Sequence, residues 1–303
     1  MRHRTSNHIH SLVSVKVSSL KVKNIIENCA EKIAKPTAIP SVKRSKKLSK
    51  NENVRSLGLD SVEFWSSLNV SSNLEYGQPT KKKINHVNHF FNSAAVTYEW
   101  SESHLSDEAF LTSAISSSKG KVLPEIAFLG RSNAGKSTLL NSLITSFKKN
   151  DLNVAARMSN KPGFTEALNF YNIGDKFRLV DTPGYGYKST DNQGHFTMHY
   201  LTRRQELVRC YLLIPANHGI LPSDLLVMNS LMDIGRPFEI VFTKIDKVKD
   251  LNKFREVLDE SKIKELATLP RLIFTNSLLS RRCPKRVGVD HLRYSIFESC
   301  KLT

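Results

Sequence analysis

Disulfide and zinc chemistry are the first things missing from this sequence. Its 303 residues include four cysteines, Cys29, Cys210, Cys283 and Cys300, and no two have C-x-x-C spacing. The scatter suggests neither a zinc ribbon nor a cystine framework, and it points to a reducing compartment. No run nears the ~20 consecutive apolar residues of a membrane-spanning helix. Internal repeats are absent too. Acidic residues are scarce at the start, where the first 50 residues hold only Glu27 and Glu31 amid Ser, His and Lys. The rest is ordinary for a folded domain: 40% apolar residues, 13 glycines and 11 prolines suit one α/β core with an extension.

The charge is strongly one-sided. Lys and Arg outnumber Asp and Glu by 45 to 28, a net +17. Residues 1–85 hold 16 basic and 6 acidic residues, so +10 lies there and +7 in the remainder. With Lys81-Lys82-Lys83 and no steady periodicity, residues 1–85 read as a basic, mostly disordered extension. The basic, acid-poor start resembles an organelle-targeting presequence and points to the mitochondrial matrix. Val13, Val15 and Val17 argue against it, because they alternate with period two where a presequence helix wants 3.6. Lys43-Arg44-Ser45-Lys46-Lys47 offers a nuclear address or an RNA-binding tail instead. Near His89-Phe90-Phe91 the composition turns apolar and aromatic, which places the folded domain at 86–303.

Within that domain, Gly130-Arg131-Ser132-Asn133-Ala134-Gly135-Lys136-Ser137 matches G-x-x-x-x-G-K-[ST]. A strand-like run, Glu125 to Leu129, precedes it, and Thr138 to Ile144 follows with helical apolar spacing. A glycine-rich strand-to-helix turn aims backbone N–H groups and a helix N-terminus at one anion. Lys136 is expected on the β/γ-phosphates and the Ser137 hydroxyl on Mg²⁺. Phe177 to Asp181 reads as a strand leading into Thr182-Pro183-Gly184. There Asp181 can hold the Mg²⁺ shell and the Gly184 N–H can sense a γ-phosphate. Phe238 to Phe242 leads into Thr243-Lys244-Ile245-Asp246. The Asp246 carboxylate can accept from guanine N1–H and its 2-amino group, a donor pair adenine lacks, and the Lys244 stem can cover the base. The nucleotide expected is GTP or GDP. A last base loop is expected at Thr275-Asn276-Ser277, after a strand at 271–275. Asn160-Lys161-Pro162-Gly163-Phe164-Thr165-Glu166 reads as a switch loop, with Thr165 completing the Mg²⁺ shell when a γ-phosphate is present.

These motifs, G-R-S-N-A-G-K-S, K-P-G-F-T, D-T-P-G-Y-G-Y and T-K-I-D, resemble the EngB group of translation-factor-class GTPases. Tyr200 to Leu207 and Gly288 to Leu292 are similar to it as well. The resemblance implies a P-loop GTPase fold, with a mainly parallel six-stranded sheet covered by helices on both faces. It also implies a role in assembling the large ribosomal subunit, here the mitochondrial one, and so in mitochondrial translation. Three features depart from the family pattern: Pro215 after the fourth strand, Phe164 before the switch threonine, and the long extension. Tyr185 stands where many GTPases place a water-orienting Gln, so slow hydrolysis is expected. Lys136, Thr165 and Gly184 are the residues expected to carry it. Asn133 matches a position that holds K⁺ in related GTPases, or else it only shapes the loop. Arg281-Arg282-Cys283-Pro284-Lys285-Arg286 could sit on rRNA phosphates without base readout, or be a solvated loop. The protein is expected to act as a monomer. The alternative is a GTP-gated binding module with negligible turnover, acting in division or at a membrane.

Overall fold

The computed structural model describes residues 61–103, 122–153, 155, 167–186, 191–261 and 263–302. Five strands form its parallel centre: β2 (Glu125–Gly130), β4 (Phe177–Asp181), β5 (Leu207–Pro215), β6 (Phe238–Thr243) and β7 (Leu272–Phe274). Two more, β1 (Val96–Glu102) and β3 (Leu168–Ile173), extend it on one side. The sheet order is β1-β3-β4-β2-β5-β6-β7. Pairing is antiparallel for β1/β3 and β3/β4 and parallel elsewhere. The sheet therefore has seven strands and mixed direction, against the expected six.

The added strand is β1, and its sequence explains its place. Val96, Tyr98 and Trp100 alternate with Thr97, Glu99 and Ser101, a period-two pattern. A register shift between Tyr98 and Trp100 sets Tyr98 opposite Tyr171 and Trp100 opposite Phe170. Trp100 stacks on Phe170 with ring centroids 4.2 Å apart. The bulge leaves Glu99 extra, and its carboxylate accepts from Arg178 Nε at 2.6 Å.

Both faces of the sheet are covered, because the central strands are apolar in both directions. On β5, Cys210, Leu212 and Ile214 belong to one core while Tyr211 and Leu213 belong to the other. The first core is closed by α1 (Ser61–Ser71), α4 (Asp191–Arg203), α5 (Pro222–Asp233) and α6 (Leu251–Glu260). The second is closed by α2 (Lys81–Ser93), α3 (Lys136–Leu143) and α7 (Val289–Ser299). A buried ion network ties the strand ends opposite the phosphate loop. Arg204 donates to both Glu125 oxygens, at 2.6 and 2.9 Å, and Arg178 reaches Glu125 at 3.5 Å. Burial raises the Glu125 carboxyl above its usual range, against the opposing Arg204 hydrogen bonds.

Folded structure begins well before residue 86, so part of the expected extension belongs to the domain. The 86 edge falls inside α2, whose N-cap Thr80 accepts from the Lys83 N–H. Helix α1 lies earlier still, and its Trp65, 1% exposed, packs against Phe254 and Phe274 with centroids 5.1 and 5.9 Å away. Phe64, Trp65 and Leu68 have helical spacing, yet the Ser, Asn and Glu around them dilute the average composition. Shortening the chain to begin at residue 86 should therefore lower its melting temperature below that of a chain that keeps α1. Trp65→Ala alone should cost about 3–5 kcal/mol, on the order of 10 °C by calorimetry. Equal melting temperatures for the full and 86–303 chains would show that α1 adds nothing.

Candidate functional site

Strand β2 runs buried into Gly130 and α3 starts at Lys136, so the loop between them is fixed at both ends. Asn133 at φ 64° and Gly135 at φ 96° turn it through left-handed backbone. Gly130 is required for another reason: a Cβ there would meet the Leu213 carbonyl oxygen at 2.9 Å.

A loop that presents N–H groups to an anion must satisfy its carbonyls elsewhere. Gly130 O accepts from Lys136 Nζ at 3.2 Å and from the Tyr185 N–H at 3.3 Å. Arg131 O accepts from the Ala134 N–H at 2.9 Å and Gly135 O from the Leu139 N–H at 2.8 Å. Asn133 O accepts from Lys244 Nζ at 2.5 Å, and Ala134 O from Thr243 Oγ1 at 2.7 Å. Thr243 and Lys244, read from sequence as base-loop residues, thus also brace the phosphate loop.

Ser137 Oγ donates to Asp181 Oδ2 at 2.6 Å, joining the first turn of α3 to the end of β4. Asp181 is 2% exposed, and its Oδ1 has no hydrogen-bond partner among the described residues. Burial pushes the Asp181 carboxyl up from its usual range, with the Lys136 charge and Ser137 hydrogen bond opposing. The same burial lowers the Lys136 ammonium, with Asp181 opposing. A buried carboxylate oxygen lacking a donor, beside a hydroxyl, suits a hard divalent cation with oxygen ligands. The residues fit Mg²⁺.

Other expected contacts are redirected. The Thr182 hydroxyl donates to Phe128 O at 2.8 Å, so this side chain braces β2 instead of facing a ligand. Gly184 packs so closely on the loop that a Cβ would lie 2.8 Å from Ser132 Cα. The Ser132 N–H donates to Tyr185 O at 3.1 Å, continuing the contact. Tyr185 turns inward and its hydroxyl donates to Asp224 Oδ1 at 2.8 Å. Arg131 pairs with the same carboxylate at 3.2 Å and donates to Gly219 O at 3.0 Å, so its guanidinium faces α5. Sequence reasoning missed Asp224. Its position three residues after Leu221, just inside a helix opened by Pro222, is the available signal: Asp224 Oδ2 accepts the Leu221 N–H at 2.8 Å.

At the base end, Asp246 sits half-buried in the short 3₁₀ turn Ile245–Lys247, anchored by Ile245 at 1% exposure. Thr275 is held by its N–H to Phe242 O at 2.8 Å. The Asn276 side chain accepts from the Val287 N–H at 2.7 Å and donates to Leu278 O and Lys285 O at 2.9 and 3.0 Å. That amide is committed to its own loop, which leaves Ser277 as the half-buried neighbour. Lys161, Pro162, Gly163, Phe164 and Thr165 lie outside the described residues. The basic loop is only partly exposed. Arg286, 8% exposed, donates to the carbonyls of Ser277, Ser146, Lys149 and Asn150, and Arg282 donates to Val248 O at 2.9 Å. Arg281 and Lys285 remain outward.

Residues 125–244 match the family model described as a 50S ribosome-binding GTPase. MIOREX complex component 8 of Saccharomyces cerevisiae is 41% identical over 298 residues, covering 93% of this chain and 95% of that protein. The probable GTP-binding protein EngB of Caulobacter vibrioides is 37% identical over 185 residues, covering 59% of this chain and 76% of that protein. A solved structure of a probable GTP-binding protein engB aligns over 59% of this chain and 100% of that one, at 20% identity and a TM-score of 0.42. With the G-x-x-x-x-G-K-S loop, the Ser137–Asp181 pair and the T-K-x-D turn at one end of the sheet, the chain belongs to the EngB family of GTP-binding proteins.

Proposed function

We propose that the protein binds Mg²⁺–GTP, hydrolyses it slowly as a switch, and assists assembly of the mitochondrial large ribosomal subunit. The observation that carries the nucleotide reading is the Ser137–Asp181 pair with its unpartnered Oδ1, set behind the braced phosphate loop. In this reading Ser137, Asp181 and Thr165 hold the cation, which neutralises charge on the phosphates. Lys136 supplies positive charge at the phosphates, and the Gly184 N–H reads the γ-phosphate. Asp246 accepts from guanine, Lys244 lies along the base, and Ser277 completes the pocket. Slow turnover is supported by Tyr185, whose side-chain hydroxyl is held by Asp224 and is not free to orient water. The ribosomal and mitochondrial parts are supported by the name of the matching family model, by the yeast relative's name, and by the basic, acid-poor start.

Base choice tests the pocket. Asp246→Asn exchanges an acceptor for a mixed donor and acceptor, so preference should move from GTP toward xanthosine triphosphate. Competition binding of the two nucleotides measures it, and undiminished GTP preference removes Asp246 from the base.

Asn133 has a shape role already, with its left-handed backbone and its carbonyl on Lys244. If it also holds K⁺, hydrolysis runs faster in K⁺ than in Na⁺ and Asn133→Ala abolishes the difference. Equal wild-type rates leave it the shape role alone.

Ribosomal RNA binding should weaken linearly on a log–log plot against salt, at about 0.7–0.9 per phosphate contact. Since Arg282 and Arg286 serve internal carbonyls, neutralising Arg281 and Lys285 should flatten that slope by at most about two contacts. An unchanged slope clears the loop of RNA contact.

A further inference from the structure

Helix α1 carries no nucleotide motif, yet it is bonded to the strand that delivers one base segment and lines a pocket with the other. Its Asn69 makes a reciprocal amide pair with the Phe274 backbone, donating to the carbonyl and accepting from the N–H, both at 2.9 Å. Asn73, just past the helix, does the same with Leu272, at 2.7 and 3.0 Å. These side-chain amides take the place of a neighbouring strand along the free edge of β7. Strand β7 delivers Thr275-Asn276-Ser277. At the other end of the helix, Ser61 Oγ donates to Arg282 O at 2.5 Å, in the return limb of that same loop. Trp65 packs on Phe274, and with Ile245, Asp246 and Val248 it lines a cavity of about 240 Å³ beneath the T-K-x-D turn. The approach is tight: a Cβ at Gly288 would lie 2.0 Å from Phe274 O and 3.1 Å from Asn69 Nδ2.

We infer that α1 is a positioning element of the base pocket and sets how strictly guanine is chosen. The inference rests on the GTP reading above. Asn69 and Asn73 hold β7 in register, and Trp65 packs on Phe274, which stacks on Phe242 of β6, the strand that leads into the turn carrying Asp246. Loosening either lets Asp246 drift from the donor pair of guanine while the phosphate loop stays braced by Lys136 and Thr243. The loss then falls on base recognition and spares the phosphates.

Inosine diphosphate lacks the 2-amino group, so the ratio of GDP to IDP affinity reports how well Asp246 engages both donors. In the full chain with Mg²⁺, wild type should prefer GDP. The Asn69→Ala/Asn73→Ala variant should lose about tenfold in GDP affinity and less than about threefold for IDP. Should the buried Asn69 change prevent folding, Ser61→Ala with Asn73→Ala makes the same test at partly exposed positions. A second readout uses the two tryptophans. In a Trp100→Phe background only Trp65 emits, and GDP should shift its fluorescence. A GDP/IDP ratio that does not move, equal losses for both nucleotides, or a silent Trp65 would each overturn the positioning role. Wild type that binds no GDP would instead overturn the GTP reading, and the inference with it.

Discussion

A backbone that offers its N–H groups to a phosphate must hide its carbonyls, and much of this structure is arranged around that constraint. The donors come from three directions: Lys136 from the following helix, Tyr185 from the strand-end segment, and Thr243 with Lys244 from the T-K-x-D turn. The T-K-x-D turn therefore braces the phosphate loop through Thr243 and Lys244, ahead of Asp246. A change at Thr243 or Lys244 themselves acts on the carbonyls of Asn133 and Ala134, and so on the loop that would face the anion. The reverse holds at Gly184, where the segment expected to sense the γ-phosphate rests directly on Ser132.

Around this loop, charge is placed in two different ways. Glu125, Arg178 and Arg204 are buried at the opposite strand ends, where each partner satisfies another and removal of one would strand a charge. Asp181 is buried with an oxygen left over. The first arrangement is closed and structural, and the second leaves a buried acceptor unanswered among the described residues. That contrast, more than burial itself, separates the binding corner from the scaffold.

The sequence made the central part legible because motifs there fix chemistry and secondary structure together. Gly130 to Ser137, Asp181 and Thr243 to Asp246 all fall at strand ends, where the topology brings them to one end of the sheet. The side-chain directions were not legible. Arg131 and Thr182 lie in the phosphate-binding and D-x-P-G motifs, yet one faces Asp224 and the other the sheet, because long-range partners decide a rotamer and a motif names only a position. Arg282 and Arg286 read as free charge until the carbonyls they serve are seen. Strand β1 and helix α1 were hidden for a simpler reason. Their apolar residues are correctly spaced but few, and α1 lies in a span whose average composition is polar and basic.

The amide pairs that close β7 have a consequence for how the chain is made. Asn69 and Phe274 lie 205 positions apart, so α1 is synthesised long before the strand edge it covers exists. Until then Phe64, Trp65 and Leu68 have no partner on β6, β7 or α6 and form an adhesive apolar stripe on the nascent chain. Completion of the sheet is also the moment at which that stripe disappears. Such non-local closure slows folding and makes it a late event. A chain interrupted before β7 would display its most binding-prone surface to chaperones, and a finished one would not.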